Sequence, residues 1–485
     1  MNGPTRRLAM ALYAGFGMLL ASLTYIQVFN ADAYRSDPRN QRAAISQIGK
    51  ERGVIITTDG TVLARSEADP ADPQVFVRRY PGGPTFAHVI GYASRLFGDE
   101  GLEAAYADVL RSRRDLTISD LLAAFLGRDL RPRSLQITLD PGLQEEAFGA
   151  MSGQAGSVVA LDPRTGAILA LVSSPSFQPE PLLGVDAGEA RQELLEEPGN
   201  PLLDRATRES YPPGSTFKVL VAAAALESGV ATPETTFPDT AEFQLPQSTA
   251  VIRNFDDGTC AGGGEVTMAV GFIRSCNTVF ADLTVRVGAE PIGMVAEGMG
   301  FNREISFPWQ VLESVFPAGG LTADPAALAQ SGIGQRDVQV TPLQMAMAAG
   351  AVANDGLVMT PYLVRLVFDA DGQTIEETEP QLLDRAMSPA TARVVAQLME
   401  QVVTEGTGTR AAVRGVRVAG KTGTAEQPDG QPHAWFIGFA PVDNPTIAVA
   451  VVVEGGGEAG ETATGGGVAA PIAQRLLALW LERGP

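Results

Sequence analysis

The 485-residue sequence predicts an α+β protein carried behind one membrane-spanning helix. Three observations lead there: a 22-residue uncharged stretch near the start, continuous apolar strand-like runs at both ends of the long C-terminal part, and apolar helical runs between them. At roughly 150 residues per domain the chain has room for about three folded units. Apolar residues make up 45% and charged residues 19%, the balance of a globular chain. Acidic residues number 56 against 36 basic ones, a net charge of −20, so there is no basic surface to neutralise many phosphates and nucleic acid is not an expected partner. Two cysteines and two histidines are too few for a zinc or iron–sulfur cluster, no spaced acidic loop suggests calcium or magnesium, and no cofactor is expected.

Taken in order, Leu8 to Phe29 carries no charge and at 1.5 Å per residue reaches about 33 Å, enough to cross a bilayer. Arg6 and Arg7 lie on its amino side, which predicts a cytoplasmic N-terminus and export of all that follows. A cleavable signal peptide is the competing reading, since Ala31 and Ala33 offer an A-x-A-like site, but the stretch is longer than such an apolar region needs. The expected organisation is an anchor over 1–30, a turn-rich unit over 31–150 and a large unit over 151–485. In the middle unit, Gly53 to Thr57 and Thr61 to Ala64 flank Asp59-Gly60 as a hairpin. Short helices are expected near 101–110 and 118–126, and Thr138 to Pro141 reads as the hinge into the last unit. There, Ser157 to Leu161 and Ala167 to Val172 form a second hairpin, Trp435 to Ala440 and Ile447 to Val453 two more strands, and Ala469 to Leu481 a closing helix. This predicts one antiparallel sheet assembled from remote parts. The glycines at 455–457 and 465–467 read as a flexible hairpin, since no lysine accompanies them as a phosphate loop requires. Cys260 and Cys276 can pair in an oxidising compartment or remain buried thiols; sequence does not supply their separation.

Three short motifs point to one chemistry. Tyr211-Pro212-Pro213-Gly214-Ser215-Thr216-Phe217-Lys218 opens an apolar helix that ends near Gly229. Lys218 lies one turn beyond Ser215 on the same face, in a helix apolar almost all round. Burial disfavours the ammonium form, so Lys218 is placed to take the proton of a serine alcohol that is otherwise a poor nucleophile. Backbone N–H groups at the helix start suit an oxyanion. Ser275-Cys276-Asn277 offers a hydroxyl and an amide for proton relay and substrate binding. Lys421-Thr422-Gly423-Thr424, on a strand-like run, offers a cation, hydroxyls and a glycine beside which a peptide can lie. The chain has only three lysines, Lys50, Lys218 and Lys421, and two of them fall in the motifs that need one.

With these motifs the sequence resembles a class B penicillin-binding protein, a peptidoglycan D,D-transpeptidase, and most of all the actinobacterial penicillin-binding protein A group. The resemblance extends to Arg39-Asn40-Gln41-Arg42, Glu51-Arg52-Gly53, Gly332-Ile333-Gly334-Gln335, Thr341-Pro342-Leu343-Gln344-Met345-Ala346 and His433 to Pro441. It implies the serine D,D-peptidase and β-lactamase-like transpeptidase fold, with 31–150 as a pedestal. It implies Ser215 as nucleophile, Lys218 as general base, Ser275 and Asn277 as proton shuttle and amide holder, and Lys421 with Thr422 as carboxylate receptor. Gly423 and Thr424 complete the strand, the Thr424 N–H joining that of Ser215 in an oxyanion hole. The implied partners are peptidoglycan stem peptides, β-lactams, the bacterial membrane and a polytopic glycosyltransferase of the SEDS family, in septal or lateral wall growth. Two positions depart from the pattern: Cys276 within the second motif, and Asp204 where asparagine is usual. His433 reads as a structural polar group rather than a triad base.

Other readings make different demands. A serine β-lactamase or D,D-carboxypeptidase deacylates with water, yet no E-x-x-x-N pattern follows Ser275; Glu196 and Asn200 have that spacing but precede the nucleophile. A catalytically silent scaffold is the non-enzyme alternative, against which all three motifs are intact. A bifunctional class A enzyme would need a glycosyltransferase domain for which no length remains.

Overall fold

The computed structural model describes residues 3–26, 30, 49–73, 75–111, 131–255, 257–427 and 430–484. An isolated helix, Gly3–Thr24, is long and apolar enough to cross a membrane and buries no residue in the rest of the chain. It begins five residues before the uncharged stretch and so includes Arg6 and Arg7 in its first turns. Phe29, the expected helix at 118–126 and the Arg39 to Arg42 segment lie outside the described residues.

The larger unit is built on a five-stranded antiparallel sheet in the order Ala419–Ala425, His433–Ala440, Ile447–Val453, Gly156–Leu161 and Ile168–Ser174. The last two are the expected hairpin, and the second and third the expected C-terminal strands. All seven residues of Ile447–Val453 are buried, because both faces of the sheet are covered. Ile447, Val449, Val451 and Val453 pack with the helices Pro141–Met151 and Ala469–Arg483. Ala448, Ala450 and Val452 face the other way, into the core that holds the helices Lys218–Glu227 and Pro342–Ala353. Strand alternation thus divides one apolar run between two cores, which is why the run reads as continuous. Thr138 to Pro141 links the strand Ser134–Ile137 to the helix Pro141–Met151, where Asp140 Oδ1 accepts the Leu143 N–H at 2.7 Å and caps a helix that lies on this sheet.

The N-terminal unit carries the expected hairpin, Ile55–Thr57 with Val62–Ala68, but does not complete its own sheet. Six strands run in the order Thr374–Glu377, Val364–Phe368, Ser134–Ile137, Ile55–Thr57, Val62–Ala68 and Phe76–Arg79. The first two come from more than 200 residues downstream, and Val364–Phe368 pairs antiparallel with Ser134–Ile137. The helix Gly83–Ile90 adds a further join. Its buried His88 reaches Pro201 O at 2.9 Å and packs edge-on against Phe177, and burial holds its pKa below the usual value.

Inside this unit lies a buried ionic cluster. Arg78 Nε meets Glu103 Oε1 at 2.6 Å, and Arg52 Nη2 lies 2.8 Å from Glu103 Oε2 as an ion pair outside hydrogen-bond geometry. Arg52 and Arg111 both reach Asp99 Oδ2. Burial works to lower the Arg52 pKa, but Glu103 and Asp99 outweigh it and the net is a rise.

Candidate active site

The first motif is a tight turn that two glycines make possible. Gly214 to Phe217 forms a 3₁₀ turn that runs into the buried helix Lys218–Glu227, with Gly229 at φ 68° just beyond its end. Residues three apart eclipse in a 3₁₀ turn, which sets Lys218 over Ser215 more squarely than an α-helix would. Gly214 has φ 52°, and a Cβ there would lie 2.7 Å from Thr424 O. Its N–H donates to Gly334 O at 2.8 Å; a Cβ on Gly334, at φ 76°, would lie 1.9 Å from Gly214 O. Only glycine fits either position without moving backbone. The Thr216 hydroxyl and the Trp435 indole N–H then tie down Pro213 O and Pro212 O, at 2.7 and 3.1 Å.

Both motif lysines are fully buried and converge on Ser275. Lys218 Nζ donates to Ser275 O and Asn277 Oδ1, both at 2.7 Å. Lys421 Nζ donates to Ser275 Oγ at 2.8 Å and Thr422 O at 3.0 Å. Lys218 therefore donates to the second motif and not to Ser215, which sits half-buried at the cleft wall. Ser275 has φ 64°, a costly conformation for a side-chain-bearing residue, and that twist presents its carbonyl to Lys218. Among the described residues no carboxylate pairs with either amine. Desolvation first, and the neighbouring Lys421 second, hold the Lys218 pKa well below the ordinary lysine value; desolvation alone brings Lys421 to about 7. A neutral Lys218 has two N–H donors, both used, and its lone pair occupies the one remaining tetrahedral position. That is the form a general base requires.

The third motif lies on Ala419–Ala425, the edge strand of the five-stranded sheet, so one side of its backbone is unpaired by the sheet and faces the cleft. Thr422 Oγ1 lies 2.5 Å from Thr407 Oγ1. A Cβ on Gly423 would meet Pro213 O at 2.8 Å, so the glycine lets this strand approach the turn that carries Ser215. The cleft has a volume of about 1180 Å³ and is lined by Ser215, Ser275, Asn277, Thr422 and Thr424 of the three motifs. Thr407, Gln330, Arg410 and Gly465 to Gly467 also line it, and motif reading did not find them. The second glycine cluster is no flexible hairpin. A Cβ on Gly465 would lie 2.1 Å from Trp435 O and 2.4 Å from Gly423 O, so that turn packs directly on the third motif. The first cluster is an irregular, left-handed turn after Val453, with φ 54°, 70° and 56° at Gly455, Gly456 and Gly457.

Cys260 and Cys276 are joined in a disulfide, with Cα atoms 6.0 Å apart. Asp204 is nearly buried and accepts from Ser173 Oγ at 3.1 Å, Trp309 Nε1 at 3.2 Å and Thr207 Oγ1, so it acts as a structural acceptor. His433 Nδ1 accepts the Gly455 N–H at 3.1 Å and its ring packs edge-on against Tyr211, a structural setting. Glu196 ends an exposed helix and does not line the cleft. Among the described residues no group of three or more His, Cys, Asp or Glu could hold a metal ion.

Comparison with known proteins agrees with this geometry. Residues 156–478 match the penicillin binding protein transpeptidase domain, and residues 52–134 the penicillin binding protein A dimerisation domain. Peptidoglycan D,D-transpeptidase PbpA of Mycolicibacterium smegmatis is 41% identical over 100% of both chains. Penicillin-binding protein A of M. tuberculosis, solved as a ceftriaxone acyl-enzyme, superposes with a TM-score of 0.82 at 38% identity, over 89% of this chain and 98% of that one. The D,D-transpeptidase domain of an Eggerthella lenta peptidoglycan glycosyltransferase superposes with a TM-score of 0.79 at 37% identity, over 90% and 99%. Motifs, site geometry and full-length similarity agree, and the chain belongs to the penicillin-binding protein transpeptidases.

Proposed function

We propose that this chain is a membrane-anchored peptidoglycan D,D-transpeptidase that works through an acyl-enzyme on Ser215. The observation that carries the assignment is the convergence of two fully buried lysines on Ser275, in the cleft that Ser215 also lines. Neutral Lys218 takes the Ser215 proton as Oγ attacks the carbonyl between the two terminal D-alanines of a stem peptide. The N–H groups of Ser215 and Thr424 receive the oxyanion. Ser275, bonded to Lys421 through its hydroxyl and to Lys218 through its carbonyl, passes the proton toward the departing D-alanine amine. Thr422 and Lys421 hold the terminal carboxylate, Asn277 the substrate amide, and Gly423 leaves room for the peptide along the edge strand. The amine of a second stem peptide then attacks the ester and forms the cross-link. A β-lactam enters by the same route and stays bound.

The Gly3–Thr24 helix anchors the chain, with the N-terminus in the cytoplasm and the cleft outside. The working division is an anchor at 1–30, a pedestal at 31–150 and a catalytic unit at 151–485, with a membrane glycosyltransferase of the SEDS type as the partner that supplies glycan strands. The test is labelling of the detergent-solubilised full chain with a fluorescent penicillin and mapping of the adduct by mass spectrometry. A stable label on the peptide containing Ser215, absent from Ser215→Ala, is expected. Label surviving in that variant would overturn the nucleophile assignment, and rapid turnover of the penicillin would favour a hydrolase.

A further inference from the structure

The segment that faces the second motif is joined to it by polar contacts at the amide that serves Lys218 and at its neighbours. Asn277 Nδ2 donates to Arg253 O at 2.9 Å while Asn277 Oδ1 accepts from Lys218, so the amide bridges that segment to the buried amine. Next to it, the Thr278 N–H donates to Asn254 Oδ1 at 3.1 Å. Arg274 Nη1 donates to Cys260 O at 2.6 Å, and Asp239 collects the N–H groups of Cys260, Ala261 and Gly263, each at 2.7 Å. The strand Val251–Arg253 pairs with Glu242–Gln244 and buries Ile252 against Ala281 and Ala329, whereas beyond it Phe255 is 68% exposed and Gly262, Gly263 and Gly264 follow at φ 95°, 97° and 85°. The covalent link falls at the centre of this arrangement, since Cys276 stands between Ser275 and Asn277 and is itself buried.

We propose that the Cys260–Cys276 disulfide is a positioning device for the acylation step: by pinning Cys260, and with it the strand Val251–Arg253, onto the Ser275–Asn277 turn, it holds both acceptors of Lys218 in place and sets the rate at which Ser215 reacts. Ser275 keeps its left-handed backbone only if its surroundings over-determine it, and a cross-link through the next residue is such a constraint. With the bond intact, Ser275 O and Asn277 Oδ1 take the two amine protons and the lone pair is aimed by default. With the bond open, the Arg253 carbonyl swings off Asn277, the amide rotates and water reaches the amine. The groups that face Lys218 are Ser275, Asn277, the Phe280 ring at 5.6 Å and, as the one neighbouring charge among the described residues, Lys421. Water entry therefore relaxes the desolvation that is the largest influence on that amine.

The experiment measures the acylation rate constant of the full chain in detergent with benzylpenicillin, across pH, before and after reduction by dithiothreitol. Two thiols of the reagent deliver two electrons and two protons; the S–S bond opens to two cysteine thiols and the reagent closes to its cyclic disulfide. The rate constant is expected to fall by about tenfold to a hundredfold. The acid limb of its pH profile should move upward by roughly one unit. Cys260→Ala should reproduce both changes. A purely structural bond would lower the fraction labelled at the endpoint but leave the limb where it is. An unchanged rate constant and limb, with both thiols shown free by alkylation, overturn the proposal. So does complete loss of label together with loss of native circular dichroism, which would make the bond a staple of the fold. The inference rests on Ser215 as nucleophile, and the endpoint label of the unreduced protein separates the two failures. No label on that sample defeats the functional reading, whereas normal labelling at a disulfide-independent rate defeats only this one.

Discussion

In the N-terminal unit Arg52 and Arg78 are buried against Glu103 and Asp99, whereas in the cleft Lys218 and Lys421 are buried with no carboxylate partner among the described residues. Arginine cannot shed its proton, so a buried guanidinium needs counter-charges, and the cluster supplies them. Lysine can shed its proton, and a dry site without counter-charge drives it to do so. The same physical cost yields an ion-paired cluster in one region and amines that give up a proton readily in the other. What decides between them is the carboxylate.

The largest expected effect tests the cleft side of that contrast. Lys218→Ala should slow acylation by about 10²- to 10⁴-fold while circular dichroism stays native, because a base is removed and no buried charge is orphaned. Stopped-flow or gel labelling with penicillin reads the rate, and normal labelling would end the base assignment. The reverse pattern is expected in the N-terminal unit. Glu103→Gln leaves two buried guanidinium groups short of a carboxylate and should cost about 3–5 kcal/mol in chemical denaturation, with the acylation rate of the folded fraction retained.

A third test uses pH. Folding lowers the Lys421 pKa to about 7 from an ordinary value of 10.5. Below about 7 both folded and unfolded states carry the proton, and the folded state bears the full penalty of a buried charge. Between the two values the unfolded chain binds more protons, so stability rises with pH across that window. Denaturation midpoints between pH 7 and 10 should climb in the wild type relative to Lys421→Met, and parallel curves would show the amine is not dry. The smallest effect is expected at an exposed pair across the two units, Arg208 with Glu100 at 2.7 Å, both side chains more than 40% exposed. Arg208→Ala should change stability by less than about 1 kcal/mol and leave acylation alone. A larger loss would mean that exposed pairs, too, brace the units against each other.

Much of the site is legible because its chemistry is local. Ser215 and Lys218 are three residues apart, Ser275 and Asn277 two, and Lys421 to Thr424 are consecutive, so each fragment carries its meaning in a short window. The rarity of lysine makes two of them conspicuous. The fold was legible where strands are neighbours in sequence, as in the hairpins at 55–68 and 156–174. It was not legible where pairing is remote. Nothing in Val364–Phe368 announces that it completes the N-terminal sheet, since its alternation is satisfied by any sheet edge. Thr407, Gly334 and Gly465 likewise look ordinary in sequence, because their roles exist only through the backbone they touch in space.

The order of residues by itself determined the reactive groups, the apolar span and the alternation that builds a buried sheet, all of which follow from side-chain chemistry and period. Tertiary structure alone decided which acceptors Lys218 uses, that Ser275 links both amines, and that the two cysteines meet. Those depend on separations of a few ångströms between segments dozens to hundreds of residues apart, and chain entropy leaves such distances open until the core has packed.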